Sequence, residues 1–300
     1  MGLTYAAFGL LGLFWGSNFI YMKWAAEFIS PAQITLLRVF FGFVPLVVVA
    51  WRTGVIRRDQ LRHLPHFLVM AALATAFYYF AIAEATARLP SGIAGVLGGS
   101  ISLFTTLATL LFLRSEKPNA LMLSGVLLGF SGIVLIARPW EGADRTIDLS
   151  GVLWMLGGAT ILGVSYVYVR RYLSPHNLPP LALATWQTGL ALLMLLAVTD
   201  RTGMSDILQS GHAAAGVALG LGVLGTGMAF LIYYYLLQEL GAVAASGATY
   251  LTPSIALLIG WAAGEKVGAL EIGAIILVLA SIGLLQVGRQ RAARAVSAAP

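Results

Sequence analysis

Long apolar stretches and short polar ones alternate along the whole chain. The hydrocarbon core of a bilayer is about 30 Å thick, so a helix needs about 20 predominantly apolar residues to cross it. Ten stretches approach that length, and each predicts a membrane-spanning helix. Proline supports two boundaries, because Pro31 and Pro180 would fall in the first turns of spans two and seven, where proline is tolerated. The predicted spans lie near 4–24, 31–51, 66–87, 91–113, 120–137, 150–170, 180–199, 213–236, 242–262 and 268–288.

The pattern of the first span returns about half a chain later. The segment FWGSNFIYMKW at 14–24 aligns with ILGVSYVYVRR at 161–171, about 147 residues later. This alignment pairs Asn18 with Ser165. The other spans repeat at offsets of about 147 to 151 residues. Because each half has an odd number of spans, the two halves must enter the membrane in opposite senses. Inverted repeats of this kind are a usual scaffold for alternating access, with a substrate site between the halves near the midplane.

The predicted fold class is therefore an all-α integral membrane protein of ten transmembrane helices, arranged as two inverted five-helix repeats. The first repeat is expected to cover 1–143 and the second, inverted repeat 149–289, with a short basic cytoplasmic tail at 290–300. The segment DRTIDLS at 144–150 marks the join. Composition agrees with lipid as the solvent: 59% of the residues are hydrophobic and only 10% are charged. A soluble core of this size would need a more polar shell.

Basic residues fall mainly in short loops beside the spans. If the N-terminus is cytoplasmic, eleven Lys and Arg residues lie in the inner loops and six in the outer loops, which favours cytoplasmic N- and C-termini. We therefore expect a multi-pass protein of a bacterial-type inner membrane, in contact with the lipid bilayer. The basic residues behind the net charge of +6 are read as topology signals. They do not indicate a nucleic-acid-binding surface, because no basic domain is present.

Polar and aromatic side chains recur near the middle of spans in both halves. A polar group in hydrocarbon is costly unless it faces the bundle interior or a cavity. Aromatic faces, hydroxyls and one amide suit an apolar or aromatic solute with a few hydrogen-bonding groups. The alternative for each residue is packing, since Ser and Thr often bond their own helix and Tyr and Trp often anchor the interface. The candidate pathway residues are Trp15, Ser17, Asn18, Tyr78, Tyr79, Ser100, Ser165, Tyr168, Tyr234, Tyr250 and Thr252.

Two charged residues within predicted spans are further candidates. Arg38 lies about two turns after Pro31, so its side chain either snorkels to the outer interface or serves inside as an anion contact or a strut between helices. Its repeat counterpart is the neutral Gln187. Glu84 precedes Arg88 by four residues, a spacing that favours an ion pair over a proton site.

Several functional classes are disfavoured by what the chain lacks. It has no cysteine, which excludes disulfides, thiolate metal sites and cysteine nucleophiles. A phosphate-binding GxxxxGK[ST] motif and an HExxH motif are both absent, and the four histidines fall in loops or at span ends. We therefore expect no metal, no cofactor and no enzymatic activity. A proton relay is also missing, because no acidic residue falls clearly at mid-membrane, so coupling to protons is expected to be weak or absent.

Taken together, these motifs resemble one known family. The WGSNF-like segment at 15–19, Pro31 followed by Arg38, and Glu116 and Glu265 after spans four and nine resemble the drug/metabolite transporter superfamily, in its EamA-type ten-helix branch. Within that branch the chain looks most similar to the YddG-type exporters of aromatic amino acids. The resemblance implies a central pathway lined by spans one, three, four, six, eight and nine, with substrate moving outward.

The expected function is secondary export of small metabolites, above all aromatic or other neutral amino acids, by alternating access through a central cavity between the repeats. One alternative is a multidrug or lipophilic-cation exporter of the same superfamily, and another is a membrane-embedded enzyme. The expected partners are the bilayer and a small-molecule substrate, with no nucleic acid, and the expected assembly is a monomer or a weak dimer.

Overall fold

The computed structural model describes residues 2–113, 118–138, 140, 147–266 and 268–297, with side chains for all of these except 241–244, 246 and 293–297. All regular structure in these ranges is helical. Nine helices within them are long and apolar enough to cross a membrane, so the chain is an all-α membrane protein, as its sequence predicts. Residues 144–146 of the predicted join at 144–150, and the predicted motif residue Glu116, lie outside the described residues.

Ten helical segments follow one another along the chain. Several are longer than predicted: the third begins before the apolar stretch, and the last continues through most of the predicted basic tail. The segments are α1 (Gly2–Ala25), α2 (Pro31–Thr53), α3 (Arg58–Arg88), α4 (Ser91–Phe112), α5 (Ala120–Ala137), α6 (Leu149–His176), α7 (Pro180–Val198), α8 (211–245), α9 (Leu251–Ala262) and α10 (Ala269–Ser297).

The predicted ninth span, 242–262, differs most from expectation. α8 continues to Ala245, and a 3₁₀ turn at Ser246–Tyr250 leads directly into α9, which has only 12 residues. The span is therefore not among the nine long helices. Pro253 provides the physical reason, because it cannot donate to the carbonyl four residues earlier and so removes an α-helical bond from the preceding turn.

Corresponding helices of the two halves are interrupted at matching places. α3 contains a π-helical segment at Ala71–Phe77, and α8 contains one at Gly216–Met228. α4 is broken by a turn between Gly98 and Ile101, which is the counterpart of the 3₁₀ turn before α9. π-Helical insertions are rare and frequent at functional sites, and helices broken in both repeats point to a binding region between them.

Helix packing follows a two-fold pattern. α1 packs against α8 and α9, and its counterpart α6 packs against α3 and α4. α2 packs against α8 as α7 packs against α3, while α2–α7, α4–α9 and α5–α10 each join a helix to its own counterpart. Exchanging the two halves therefore leaves the set of packing partners unchanged, as expected for a duplicated fold.

The two ends of the bundle are packed differently. We call the end where α1 begins the inner end and the opposite end the outer end, following the topology predicted from loop charge. In the part of the chain that the structure describes, one continuous hydrophobic cluster with members from all ten helices fills the outer half. The inner half has two separate clusters, one joining α1, α8 and the turn before α9 and the other joining α3 and α6. The bundle is thus closed at its outer end and divided at its inner end.

Polar contacts between the two halves reinforce the outer closure. The carboxylate of Glu265, after α9, accepts hydrogen bonds from the backbone N–H groups of Ser91 (2.5 Å) and Gly92 (2.9 Å), at the start of α4. A carboxylate at a helix N-terminus is favoured by the orphan N–H groups and the helix dipole. The side chain of Gln33 donates to the carbonyls of Asp200 (2.9 Å) and Thr202 (2.8 Å), which ties α2 to the loop between α7 and α8.

Candidate functional site

Tyrosine side chains line the cleft between the two inner clusters. Tyr166, on α6, has 48% of its surface accessible, and it lies about 200° around the helix from Val164, which is exposed on the opposite side. Its hydroxyl interacts electrostatically with the hydroxyls of Tyr78 and Tyr79 on α3 and with that of Tyr233 on α8. Tyr234 in turn has Tyr79 and Tyr233 as neighbours. Side chains from α3, α6 and α8 therefore face one shared space near the centre of the bundle.

Arg38 lies buried at the outer boundary of this cleft, with only 4% of its surface exposed. Its Nε donates to Oγ1 of Thr226 on α8 at 3.1 Å, and its Cζ lies 3.9 Å from the centre of the Tyr79 ring. Nη1 also approaches the sulfur of Met22 at 3.9 Å. The side chain does not snorkel to the interface. Among the residues that the structure describes, no carboxylate forms an ion pair with it.

Asn18 completes the surroundings of Arg38. Hydrogen bonding assigns the amide orientation: Nδ2 donates to the Phe14 carbonyl at 3.0 Å and Oδ1 accepts from Nη2 of Arg38 at 3.2 Å. The amide sits against Gly225 in the π-helical part of α8, where a Cβ atom would collide with it. The polar residue in the middle of α1 thus orients the guanidinium of α2.

The second repeat contains a neutral copy of the Arg38 contact. Gln187, the counterpart of Arg38, donates from Nε2 to Oγ1 of Thr75 at 2.7 Å. Thr75 lies in the π-helical segment of α3, as Thr226 does in that of α8. Each repeat therefore sends a polar side chain from its second helix to a threonine in the π-helical segment of the other repeat, but only one of the two side chains carries a charge.

The remaining predicted pathway residues fall into different environments. Trp15 packs on Tyr233 with ring centres 5.9 Å apart, on the α1–α8 side of the cleft. Ser17 and Ser165 donate to carbonyls of their own helices, those of Phe14 (3.2 Å) and Leu162 (2.7 Å), as packing serines do.

Three further predicted residues have hydrogen-bond or ion-pair partners of their own, and one of them, Tyr250, also interacts electrostatically with Tyr233. Tyr168 is bonded to Nδ1 of His66 at 2.8 Å, near the inner ends of α6 and α3, and Tyr250 donates to the side chain of Gln286 at 2.6 Å. Glu84 forms an ion pair with Arg88, the arrangement that their spacing favours.

Ser100 and Thr252 lie at the helix breaks. Their hydroxyl oxygens are buried and have no hydrogen-bond partner within the described part of the chain. A Cβ atom on Gly99, next to Ser100, would lie 3.2 Å from the Pro253 ring, which places the two breaks against each other. Buried hydroxyls without partners are uncommon in native proteins and mark a polar spot at the crossing of α4 and α9.

Sequence reasoning left four of the residues described above out of the candidate pathway: Thr75, Tyr166, Thr226 and Tyr233. The repeat carries a signal for the threonines, because Thr75 and Thr226 are 151 residues apart and so occupy matching positions in the two halves. Tyr166 carries no such signal, because its counterpart in the first repeat is Phe19, which has no polar group.

A family model matches the chain twice, over residues 3–138 and 149–287, and its description is the EamA-like transporter family. The two matches coincide with the two sets of five helices that the packing relates. The chain belongs to the EamA-like transporter family. The transporter is thus a multi-pass membrane protein of the drug/metabolite type, as the resemblance implied.

Named relatives of the transporter are distant but cover most of its length. It is 25% identical to the uncharacterized transporter YdfC of Bacillus subtilis, over 84% of this chain and 80% of that one. It is 24% identical to the uncharacterized inner membrane transporter YedA of Escherichia coli, over 93% and 90%. It is 25% identical to a protein of Streptantibioticus cattleyicolor named "Probable terminal-alkyne amino-acid exporter", over 82% and 80%.

A solved crystal structure has the same fold. It covers 97% of this chain and 98% of its own, with a TM-score of 0.58 and 20% sequence identity. The fold and the family are therefore established independently of the cleft chemistry.

Proposed function

We propose that the transporter exports small amino acids with aromatic or other neutral side chains, by alternating access through the cleft between the two repeats. The observation that carries this proposal is Arg38, a buried cation whose hydrogen-bond acceptors among the described residues are all neutral. The proposal includes transport rather than catalysis and places the protein in a bacterial-type inner membrane with both termini in the cytoplasm.

The surroundings of Arg38 leave its charge uncompensated within the described residues. A buried guanidinium is stable when a carboxylate pairs with it, and its planar fork suits bidentate binding of a carboxylate. Here the acceptors are an amide, a hydroxyl and a thioether, and the Tyr79 ring covers one face. A substrate carboxylate reaching the guanidinium would form the stronger, charge-assisted bond, so the chemistry of the site fits a solute with a carboxylate.

The tyrosine walls fit the other end of such a solute. Aromatic faces and hydroxyls are offered by Tyr78, Tyr166 and Tyr234. The faces accommodate an apolar side chain, and the hydroxyls and ring faces can bind an ammonium group. The positive charge at Arg38 disfavours a lipophilic cation in the same space. The name of the Streptantibioticus relative, an amino-acid exporter, agrees with this choice.

Counterflow in proteoliposomes tests the proposal. Vesicles loaded with unlabelled tryptophan, phenylalanine or threonine should accumulate the labelled amino acid only when they contain the transporter. Phenylalaninamide, which keeps the ring and the ammonium but lacks the carboxylate, is the matched control and should neither exchange nor compete. Saturable exchange of the amide or of a lipophilic cation, with no exchange of any amino acid, would refute the substrate assignment and favour a multidrug exporter.

A further inference from the structure

An aromatic residue closes the outer end by packing onto a glycine of another helix. Phe19, on α1, is 6% exposed and lies against α4. A Cβ atom on Gly98 would lie 3.0 Å from Cζ of Phe19, and one on Gly95 would lie 3.3 Å from Cδ2. Only a residue without a side chain lets the ring approach α4 so closely. This contact joins α1 to the segment of α4 just before its break.

The second repeat has the same two residue types at the matching positions. In the alignment of α1 with α6 that pairs Asn18 with Ser165, Phe19 pairs with Tyr166. In the alignment of α4 with α9 that pairs Glu116 with Glu265, Gly98 pairs with Gly247. Gly247 lies in the 3₁₀ turn before α9, as Gly98 lies before the break in α4. An aromatic residue and its glycine seat are therefore present in both halves.

The two contacts are in opposite states. At the outer end Phe19 is seated on Gly98, whereas at the inner end Tyr166 is 48% exposed to the cleft. The Cβ direction of Gly247 points to Phe8 of α1, with Cζ of Phe8 at 3.1 Å. α1 packs against both α3 and α4 in the outer half, and α6 has no comparable packing against α8 and α9 in the described inner half.

We infer that Tyr166 is the inner gate of the transporter: in the opposite, outward-facing state its ring seats on Gly247 and closes the cleft while Phe19 leaves Gly98. The inference rests on the alternating access of the proposed function but not on the identity of the substrate. A tyrosine suits this place, because its hydroxyl remains hydrated while the gate is open and its ring is buried when the gate shuts.

Cysteine cross-linking tests the gate, and the chain has no native cysteine to interfere. Because the tip of the Phe19 ring touches Gly98, the Cβ positions of the two residues are too far apart for a direct disulfide, and a short bis-methanethiosulfonate reagent is used to bridge each pair of cysteines. The reagent should cross-link F19C with G98C in the state described above, and should cross-link Y166C with G247C only in molecules whose outer end has opened. Each cross-link is detected on a gel and should be reversed by reduction. The matched control is Y168C with G247C, because residue 168 lies about 200° around α6 from residue 166 and should not cross-link.

A second pair of variants covers the case in which G247C fails to fold. In the F19C and G98C background, Tyr166→Ala should raise the ratio of outer-closed to outer-open molecules about tenfold, because an alanine buries far less apolar surface when the inner end closes. Tyr166→Phe should leave that ratio unchanged. The inference is overturned if the Y166C pair never cross-links, if the control pair cross-links equally, or if Tyr166→Ala leaves the outer cross-link yield unchanged.

These readouts separate the gate from the substrate proposal, since cross-linking on a gel needs no substrate. A functioning gate with no amino-acid exchange would leave the inference standing and remove the substrate assignment. Amino-acid exchange without inner cross-linking would do the reverse.

Discussion

Replacing Arg38 by glutamine separates the two roles that its position allows. Gln187 shows that a glutamine at this point of the repeat reaches the threonine of the opposite π-helical segment, at 2.7 Å. Arg38→Gln therefore keeps a strut to Thr226 and removes only the charge and the fork. If Arg38 is a strut, the variant should work; if it binds the substrate carboxylate, the variant should fail.

The expected loss follows from the bond that is removed. A hydrogen bond to a charged group contributes about 1.5–3 kcal/mol, which corresponds to roughly a 10- to 150-fold weaker binding of a carboxylate substrate. The thermal stability of the variant should be unchanged or higher, because it removes a buried charge that has no ionic partner in the described part of the chain.

The assay is counterflow of labelled phenylalanine in proteoliposomes across a range of concentrations, with melting of the detergent-purified protein measured in parallel. Gln187→Met, which removes the neutral contact on the other side, is the control and should keep its apparent affinity. Exchange by Arg38→Gln within about twofold of the unaltered transporter, a difference of only about 0.4 kcal/mol, would show that the carboxylate does not bind there.

Three more predictions concern the contacts around the cleft. Asn18→Leu should reduce exchange more than about fivefold without unfolding the protein. It removes a buried hydrogen bond worth about 1 kcal/mol or more and leaves Nη2 of Arg38 without its acceptor. Near-normal exchange with an unchanged melting temperature would show that Asn18 serves only in helix packing. Gly225→Ala should have the same phenotype, since the new methyl group displaces the Asn18 amide, whereas Gly157→Ala, at an open site, should be silent in the same assay. Glu265→Gln should lower the melting temperature by weakening the cap on α4, and an unchanged melting curve would show that the cap adds nothing.

The fold could be predicted from the sequence because lipid imposes strong rules on length and charge. A run of apolar residues long enough to span the core has few other uses, and the repeat in 14–24 and 161–171 fixes the pairing of the halves. The π-helical segments at Ala71–Phe77 and Gly216–Met228 could not be predicted in this way. A π-helix adds one residue to a turn without changing composition, and only the contact with the other repeat reveals it.

The site was harder to predict because it depends on which face of each helix meets the cleft. Tyr166 and Tyr168 are two residues apart and point about 200° from each other, so at most one can face the cleft. The sequence does not state the rotation of α6, which follows from its packing on α3 and α4. Likewise, the choice between snorkelling and burial for Arg38 depends on Thr226, a residue 188 positions away.

The cap that Glu265 places on α4 has a consequence for how the protein is made. The N–H groups of Ser91 and Gly92 belong to the half that leaves the ribosome first, and the carboxylate that satisfies them arrives more than 170 residues later. The side chain of Gln33 likewise belongs to the first half, and the carbonyls of Asp200 and Thr202 that it binds are synthesised later. The first five helices therefore enter the bilayer with these hydrogen-bonding groups at their outer ends unpaired. The outer end closes only when the second half has been inserted and has packed beside them.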